Sequence, residues 1–217
     1  MIVESFENLN ELYSFIVRTI MLKGEKGHNR TRTVLKHAYF RINDNVFDRN
    51  ERIERFIPID VETKKNYIIN TYYEGIFREF KGCIRLRNDS TKVFYIPTKK
   101  EPCIAFISIS AQTNGTMEIT VFFRVARAFP TLYIDMIALS EVMKELKIKQ
   151  ANVCFNNIFI QRESILMDLA FSEHEQSEHF KKAVNSWKRA FNKPAEDIKF
   201  MSNRRLKIFY DEVKNNA

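Results

Sequence analysis

Apolar residues return every three or four positions through Phe6, Leu9, Leu12 or Tyr13, Ile16 and Ile20, while Glu7, Asn10 and Glu11 fall between them. This is the spacing of a helix with one buried face. A polar, glycine-containing loop over 23 to 32 follows, and residues 34 to 42 read as a strand. Residues 43 to 54 are too charged to be core. Asp60-Val61-Glu62-Thr63 opens a helix predicted to run to about Tyr73, in a stretch where apolar residues mix with Tyr67, Tyr72, Tyr73 and Phe77. Short strands are expected over 82 to 87 and 92 to 96, separated by Asn88-Asp89-Ser90, with a basic connector over 97 to 102.

The pattern is clearest from 101 to 139. Residues 104 to 111 are apolar and rich in β-branched side chains, Gln112-Thr113-Asn114-Gly115 has turn chemistry, and a second such run covers 117 to 123. That is a hairpin. Antiparallel pairing brings Cys103, at the start of one strand, and Arg124, at the end of the other, to the same end of the sheet. A helix over 131 to 146 follows with little polar surface in its first half, so it is buried on most sides. Asp135 lies within it. A carboxylate there must reach an edge, be paired, or meet a ligand that donates hydrogen bonds. Residues 151 to 161 form a further strand, interrupted by Asn156-Asn157, and 162 to 191 read as a helix closed by Lys188-Arg189 and Pro194. The tail from 198 to 210 adds a strand.

At 217 residues, with 45% hydrophobic side chains, the chain is long enough for a sizeable core, in one domain or in a two-lobed arrangement, with one domain expected. A formal charge of +8 favours anionic partners: nucleotide, nucleic acid or acidic protein. No apolar run approaches membrane-spanning length, and the N-terminus carries acids where a signal peptide carries bases, so an intracellular, cytoplasmic protein without membrane association is expected. Cys83, Cys103 and Cys154 are odd in number and far apart, which argues against a disulfide framework and a cysteine-built zinc site. His174 and His179, five apart, do not share a helix face, so no metal is expected. Arg30 and Arg32 in the basic loop are either solvated or able to reach a phosphate. Cys103 is either a small hydrophobe at a strand end or a nucleophile beside an anion-binding group.

The order Pro-Cys, hairpin, Arg, long apolar helix resembles the core of the thymidylate synthase and deoxycytidylate hydroxymethylase family. Asn29-Arg30-Thr31-Arg32-Thr33 is similar to the family's Asp-Arg-Thr-Gly-Thr segment, and Tyr73-Glu74-Gly75-Ile76-Phe77-Arg78 to its Tyr-Gly-x-x-Trp-Arg. Asn88-Asp89-Ser90-Thr91-Lys92-Val93 resembles the Asn-Asp-Pro-x-Ser-Arg-Arg-Ile stretch, and Phe155-Asn156-Asn157 falls where Tyr-x-Asn-His is expected. The likeness covers residues 29 to 161, and 162 to 217 would be a helical extension of a single domain over 1 to 217. The pattern departs at Ile104, Val125 and Arg127, where the family has histidine, serine and aspartate, and at Val153 and Phe155 in the sugar-binding motif. The family's general-acid glutamate is not located; Glu54, Glu62 and Glu74 are candidates.

The resemblance implies a mixed α+β fold, a large sheet backed by the long buried helix, and a homodimer packed through the sheets. It implies that the Cys103 thiolate adds to carbon 6 of a pyrimidine nucleotide, making carbon 5 nucleophilic toward a one-carbon unit from methylenetetrahydrofolate. Arg124 and Arg30 would hold the nucleotide phosphate, with Arg124 also stabilising the thiolate, and Lys92 would reach a phosphate across the dimer interface. Asp135 and Asn157 would bind the base. Asp135 stands where uracil-acting members have asparagine and cytosine-acting members aspartate, which implies a cytidine monophosphate as substrate. Two classes of function follow: a hydroxymethyl- or methyltransferase acting on a pyrimidine nucleotide, or a protein of the same fold that binds nucleotide or nucleic acid, or serves as an accessory subunit.

Overall fold

The computed structural model describes residues 2–23, 25–26, 32–54, 57, 59–80, 85–87, 89–96 and 103–161. The chain divides into two compact units, Met1–Asp48 with Glu62–Arg162, and Arg49–Val61 with Glu163–Ala217. The expected C-terminal helix and strand, His174, His179 and Arg30 lie outside the described residues, as do residues 82 to 84. Residues 85 to 87, expected in a strand, have no regular structure.

The first unit is α+β. Eight strands form one mixed sheet: β1 (Ile2–Phe6), β2 (Glu25–Lys26), β3 (Arg32–Ile42), β4 (Thr91–Tyr95), β5 (Ile104–Ala111), β6 (Met117–Phe123), β7 (Ala126–Arg127) and β8 (Gln150–Gln161). Their order is β1-β3-β8-β6-β5-β4, with β2 beside β3 and β7 beside β8. The β5–β6 hairpin has the expected bounds, and its turn explains why: Gly115 takes φ 78°, and the Asn114 side chain accepts the Thr116 N–H at 3.0 Å. The sequence does not announce the parallel pairing of β6 with β8, which joins segments separated by the long helix.

One sheet face forms the core. Ile107 and Ile109 of β5, Ile119, Val121 and Phe123 of β6, Val153 and Phe155 of β8 and Phe40 of β3 are all buried, and Phe123 stacks on Phe155 at 4.9 Å. Helix α1 (Leu9–Lys23) covers part of this face with Leu9, Leu12, Tyr13, Ile16, Val17 and Ile20, each burial stabilising by about 1.5–3 kcal/mol. It starts later than its periodicity suggested. Phe6 belongs to β1, its ring against Phe15 and Phe40, and Asn8 caps the helix by accepting the Glu11 N–H at 3.0 Å. The segment judged too charged for core carries a core residue after all: Phe47 is buried against Tyr13 and Tyr133. Asn45 holds the chain there by donating to the Ile148 carbonyl at 2.9 Å.

The helix expected to end near Tyr73 continues further. After the short helix α2 (Glu51–Glu54) in the sequence, helix α3 (Val61–Ile68) passes through a π-helical turn, Ile69–Tyr73, into α4 (Glu74–Phe80), with helical backbone at both junctions. Helix α5 (Tyr133–Glu145), entered through a kinked segment at Ala128–Leu132 in which Phe129 is extended, is buried along almost its whole length. Lys65 ties α3 to α5 through Glu141 at 2.7 Å.

The asparagine pair in β8 has a geometric explanation. Core-facing residues alternate as Ala151, Val153 and Phe155, then resume one step out of phase at Ile158 and Ile160. The facing strand shifts at the same level, from Phe40 and Ala38 to Leu35, across His37 at φ 52°. Two consecutive residues, Asn156 and Asn157, therefore leave the core together.

Candidate functional site

The site is assembled where β5 begins, β6 ends and α5 takes its first turn. Ile104 pairs with Phe123, so Cys103 stands opposite Arg124, and the Cys103 carbonyl accepts the Arg124 N–H at 2.8 Å. The backbone thus brings thiol-bearing and guanidinium-bearing residues together at one end of the sheet. The Arg124 side chain turns toward the end of β4, its Nη2 donating to the Ile96 carbonyl at 3.5 Å.

Asp135, in the first turn of α5, is 5% exposed. Burial raises its carboxyl from 3.8 to about 7, against the pull of the Lys64 ammonium. The half-buried Cys103 thiol is also pushed up, first by burial and then by the Asp135 charge; Lys64 and the backbone N–H act in the other direction. The resemblance assigns thiolate stabilisation to Arg124, but the side-chain cation acting on the sulfur is Lys64. Tyr72 is raised to about 12 by burial, then by Cys103, Asp135 and Tyr67, with the Cys103 backbone N–H opposing. Tyr73, fully buried, is raised as well, by burial and then Asp135 and Tyr72. Lys64 Nζ lies 4.6 Å from the centre of the Tyr67 ring.

A single electrostatic cluster therefore joins Cys103 and Asp135 to Lys64, Tyr67, Tyr72 and Tyr73, all four from the continuous helix of α3, the π turn and α4. Sequence reasoning passed over Lys64 and Tyr72. The available signals were doublets, Lys64-Lys65 and Tyr72-Tyr73, and the π turn that sets the two tyrosines is invisible to a 3.6-residue period.

The remaining expected site residues stand apart from this cluster. Lys92 is ion-paired with Glu79 on the helix-covered side of β4, opposite Ile109, about 20 Å along the strand from Cys103. Asn157 is half-buried opposite Lys36, at the face switch in β8. Of the general-acid candidates, Glu54 pairs with Arg49, Glu62 with Lys65 and Glu74 with Arg78. None is among the groups acting on Cys103 or Asp135. Among the described residues, no group of three or more His, Cys, Asp or Glu is placed to hold a metal, and no helix is long and apolar enough to cross a membrane.

No protein-family model matches the chain, and no characterised protein does. The functional reading rests on the geometry and on the resemblance of motifs.

Proposed function

We propose that the chain is a divergent, thymidylate synthase-like transferase that adds a hydroxymethyl or methyl group to carbon 5 of a cytidine monophosphate, acting in the cytoplasm. The observation that carries this reading is the coupling of Cys103 to Asp135 across 32 positions of sequence at one largely buried site. A nucleophile and a base-reading acid are what the chemistry requires side by side.

In the proposed reaction the Cys103 sulfur, as thiolate, bonds to carbon 6, and the electrons of the carbon 5–carbon 6 double bond move to carbon 5. Carbon 5 then takes up a proton from solvent or a one-carbon electrophile. Loss of the original carbon 5 hydrogen as a proton and expulsion of the thiolate restore the ring. Asp135 orients the base: one oxygen accepts from the exocyclic amine of cytosine, and one proton is shared between the other oxygen and ring nitrogen 3. The burial that holds Asp135 near 7 keeps that proton available at neutral pH.

The described residues do not fit the folate donor as the resemblance implies it. The cation Arg127 occupies the position of the family's aspartate, at the entrance to the kinked segment before α5. No step is therefore derived through methylenetetrahydrofolate.

Dimerisation through the sheets belongs to the same proposal. On the face opposite the core, where no described helix packs, Phe106 and Phe122 stack at 5.2 Å beside Val93 and Tyr95, which are 40% and 79% exposed. Further along this face Asn152 is buried. Its amide donates to Glu118 at 2.5 Å, while its Oδ1 has no hydrogen-bond partner among the described residues. An apolar patch beside a buried acceptor suits a second copy of the chain.

One observation favours a different reading. The Cys103 thiol is raised rather than lowered, as in a protein that keeps the fold to bind nucleotide or nucleic acid, or to serve as an accessory subunit, without forming the adduct. Calorimetric titration with CMP and UMP tests the base assignment common to both readings. Asp135→Asn is expected to reverse the preference from CMP to UMP by tenfold or more. Equal binding of both nucleotides to both proteins would remove Asp135 from the site.

A further inference from the structure

On the sheet face opposite the core, residues paired in register across neighbouring strands stand in rows. One row crosses all six strands of the β1-β3-β8-β6-β5-β4 path: Val3, Tyr39, Cys154, Phe122, Phe106 and Tyr95 are successive register partners. Its middle is half-buried, with Phe106 and Phe122 stacked. Its two ends are the most exposed large hydrophobic residues among those described, Val3 at 58% on one edge strand and Tyr95 at 79% on the other. In the adjoining rows Arg41 and Glu118 are ion-paired at 3.8 Å, so the charge there neither repels a copy of the chain nor attracts a nucleic acid. The face is regular on one side of the row only. On the other side β5 shifts register between Ile104 and Phe106, and β8 and β3 change phase beyond Phe155 and Ala38.

We propose that a second copy of the chain packs on this face about a two-fold axis running along the β6–β8 boundary, so that β1 of each copy lies over β4 of the other and Val3 meets Tyr95. The proposal rests on the sheet-to-sheet dimer and adds its axis. The β6–β8 boundary is the middle of the six-strand path, so this axis covers both exposed ends of the apolar row at once. It sets Tyr39 over Phe106 of the second copy and Cys154 over Phe122. Running along the strands, it lays the regular part of the face on itself, whereas an axis along the row would lay the regular part on the irregular end. In the adjoining row it sets Asn152, whose Oδ1 has no hydrogen-bond partner among the described residues, opposite Thr120 of the second copy, whose hydroxyl can donate.

The test uses the full chain carrying Cys83→Ser, Cys103→Ser and Cys154→Ser, into which Val3→Cys and Tyr95→Cys are introduced separately and together. Within one chain the two positions stand five strand spacings apart, about 24 Å, beyond the reach of bismaleimidoethane. The doubly substituted chain is expected to give covalent dimer on a denaturing gel, and each single variant none. A second set needs no thiol: Val3→Lys and Tyr95→Glu are each expected to weaken association in sedimentation and together to restore it, because the axis pairs opposite charges. Cross-linking of either single variant with itself, or a double charge variant that associates no better than the single ones, would overturn the axis and leave the sheet-to-sheet dimer standing. A wild-type chain that sediments as a monomer would overturn both, and binding of a single-stranded oligonucleotide by that monomer would give the face to nucleic acid.

Discussion

Replacing Asp135 by asparagine exchanges a buried ionisable group for a neutral one of the same shape, so its effect on stability is governed by the proton. Burial raises this carboxyl from 3.8 to about 7. The folded state therefore holds the proton more tightly than the unfolded chain does. The stability carried by the protonated form is whole below about 3.8 and is lost as pH rises to about 7. Three units at about 1.4 kcal/mol each give a penalty of about 4 kcal/mol above neutrality. Asp135→Asn removes it. Urea unfolding followed by circular dichroism at pH 5, 6, 7 and 8.5 is expected to show the variant more stable than wild type by a margin that widens by about 1.4 kcal/mol per pH unit and levels off above about 7. Groups common to both proteins cancel in the difference. A margin independent of pH would refute the argument, because it would mean that Asp135 ionises in the folded state as it does in water.

Three further outcomes follow from the fold. His37→Ile is expected to cost about 1–2 kcal/mol, because a β-branched residue resists φ 52°, whereas His37→Gly should be near neutral; chemical denaturation separates them. Phe123→Ala, which deletes a fully buried ring stacked on Phe155, should cost about 3–5 kcal/mol by the same measurement. If the chain dimerises through its sheets as proposed, Val93→Lys with Tyr95→Lys, which places two charges on the open sheet face, is expected to sediment as a monomer with an unchanged circular dichroism spectrum.

The elements near the site were readable in proportion to how local their signals are. Strands β5 and β6 and their turn are written in consecutive residues, and helix α5 in an apolar run that leaves Asp135 conspicuous. The strand β1 was missed because three of its five residues are exposed and it carries no alternation strong enough to compete with the helical period that begins at Phe6. Asn156-Asn157 was visible as an anomaly, but its cause, a phase shift shared with β3 across His37, requires the pairing to be known. Phe47 was hidden by charged neighbours. Lys64 was hidden by chemistry: a lysine on a helix is ordinarily solvated, and its electrostatic influence on Cys103 and Asp135 arises only in the folded chain.

The most direct test of the transferase reading is proton nuclear magnetic resonance of CMP, dCMP, UMP and dUMP in deuterated buffer, following loss of the carbon 5 hydrogen. Each nucleotide is measured with the wild-type chain and with Cys103→Ser, with and without methylenetetrahydrofolate. Reversible addition of the Cys103 sulfur to carbon 6 should exchange that hydrogen in a cytidine nucleotide, and Cys103→Ser should abolish the exchange while line broadening still reports binding. Binding without exchange in the wild-type chain would contradict covalent catalysis and leave the protein as a nucleotide-binding module.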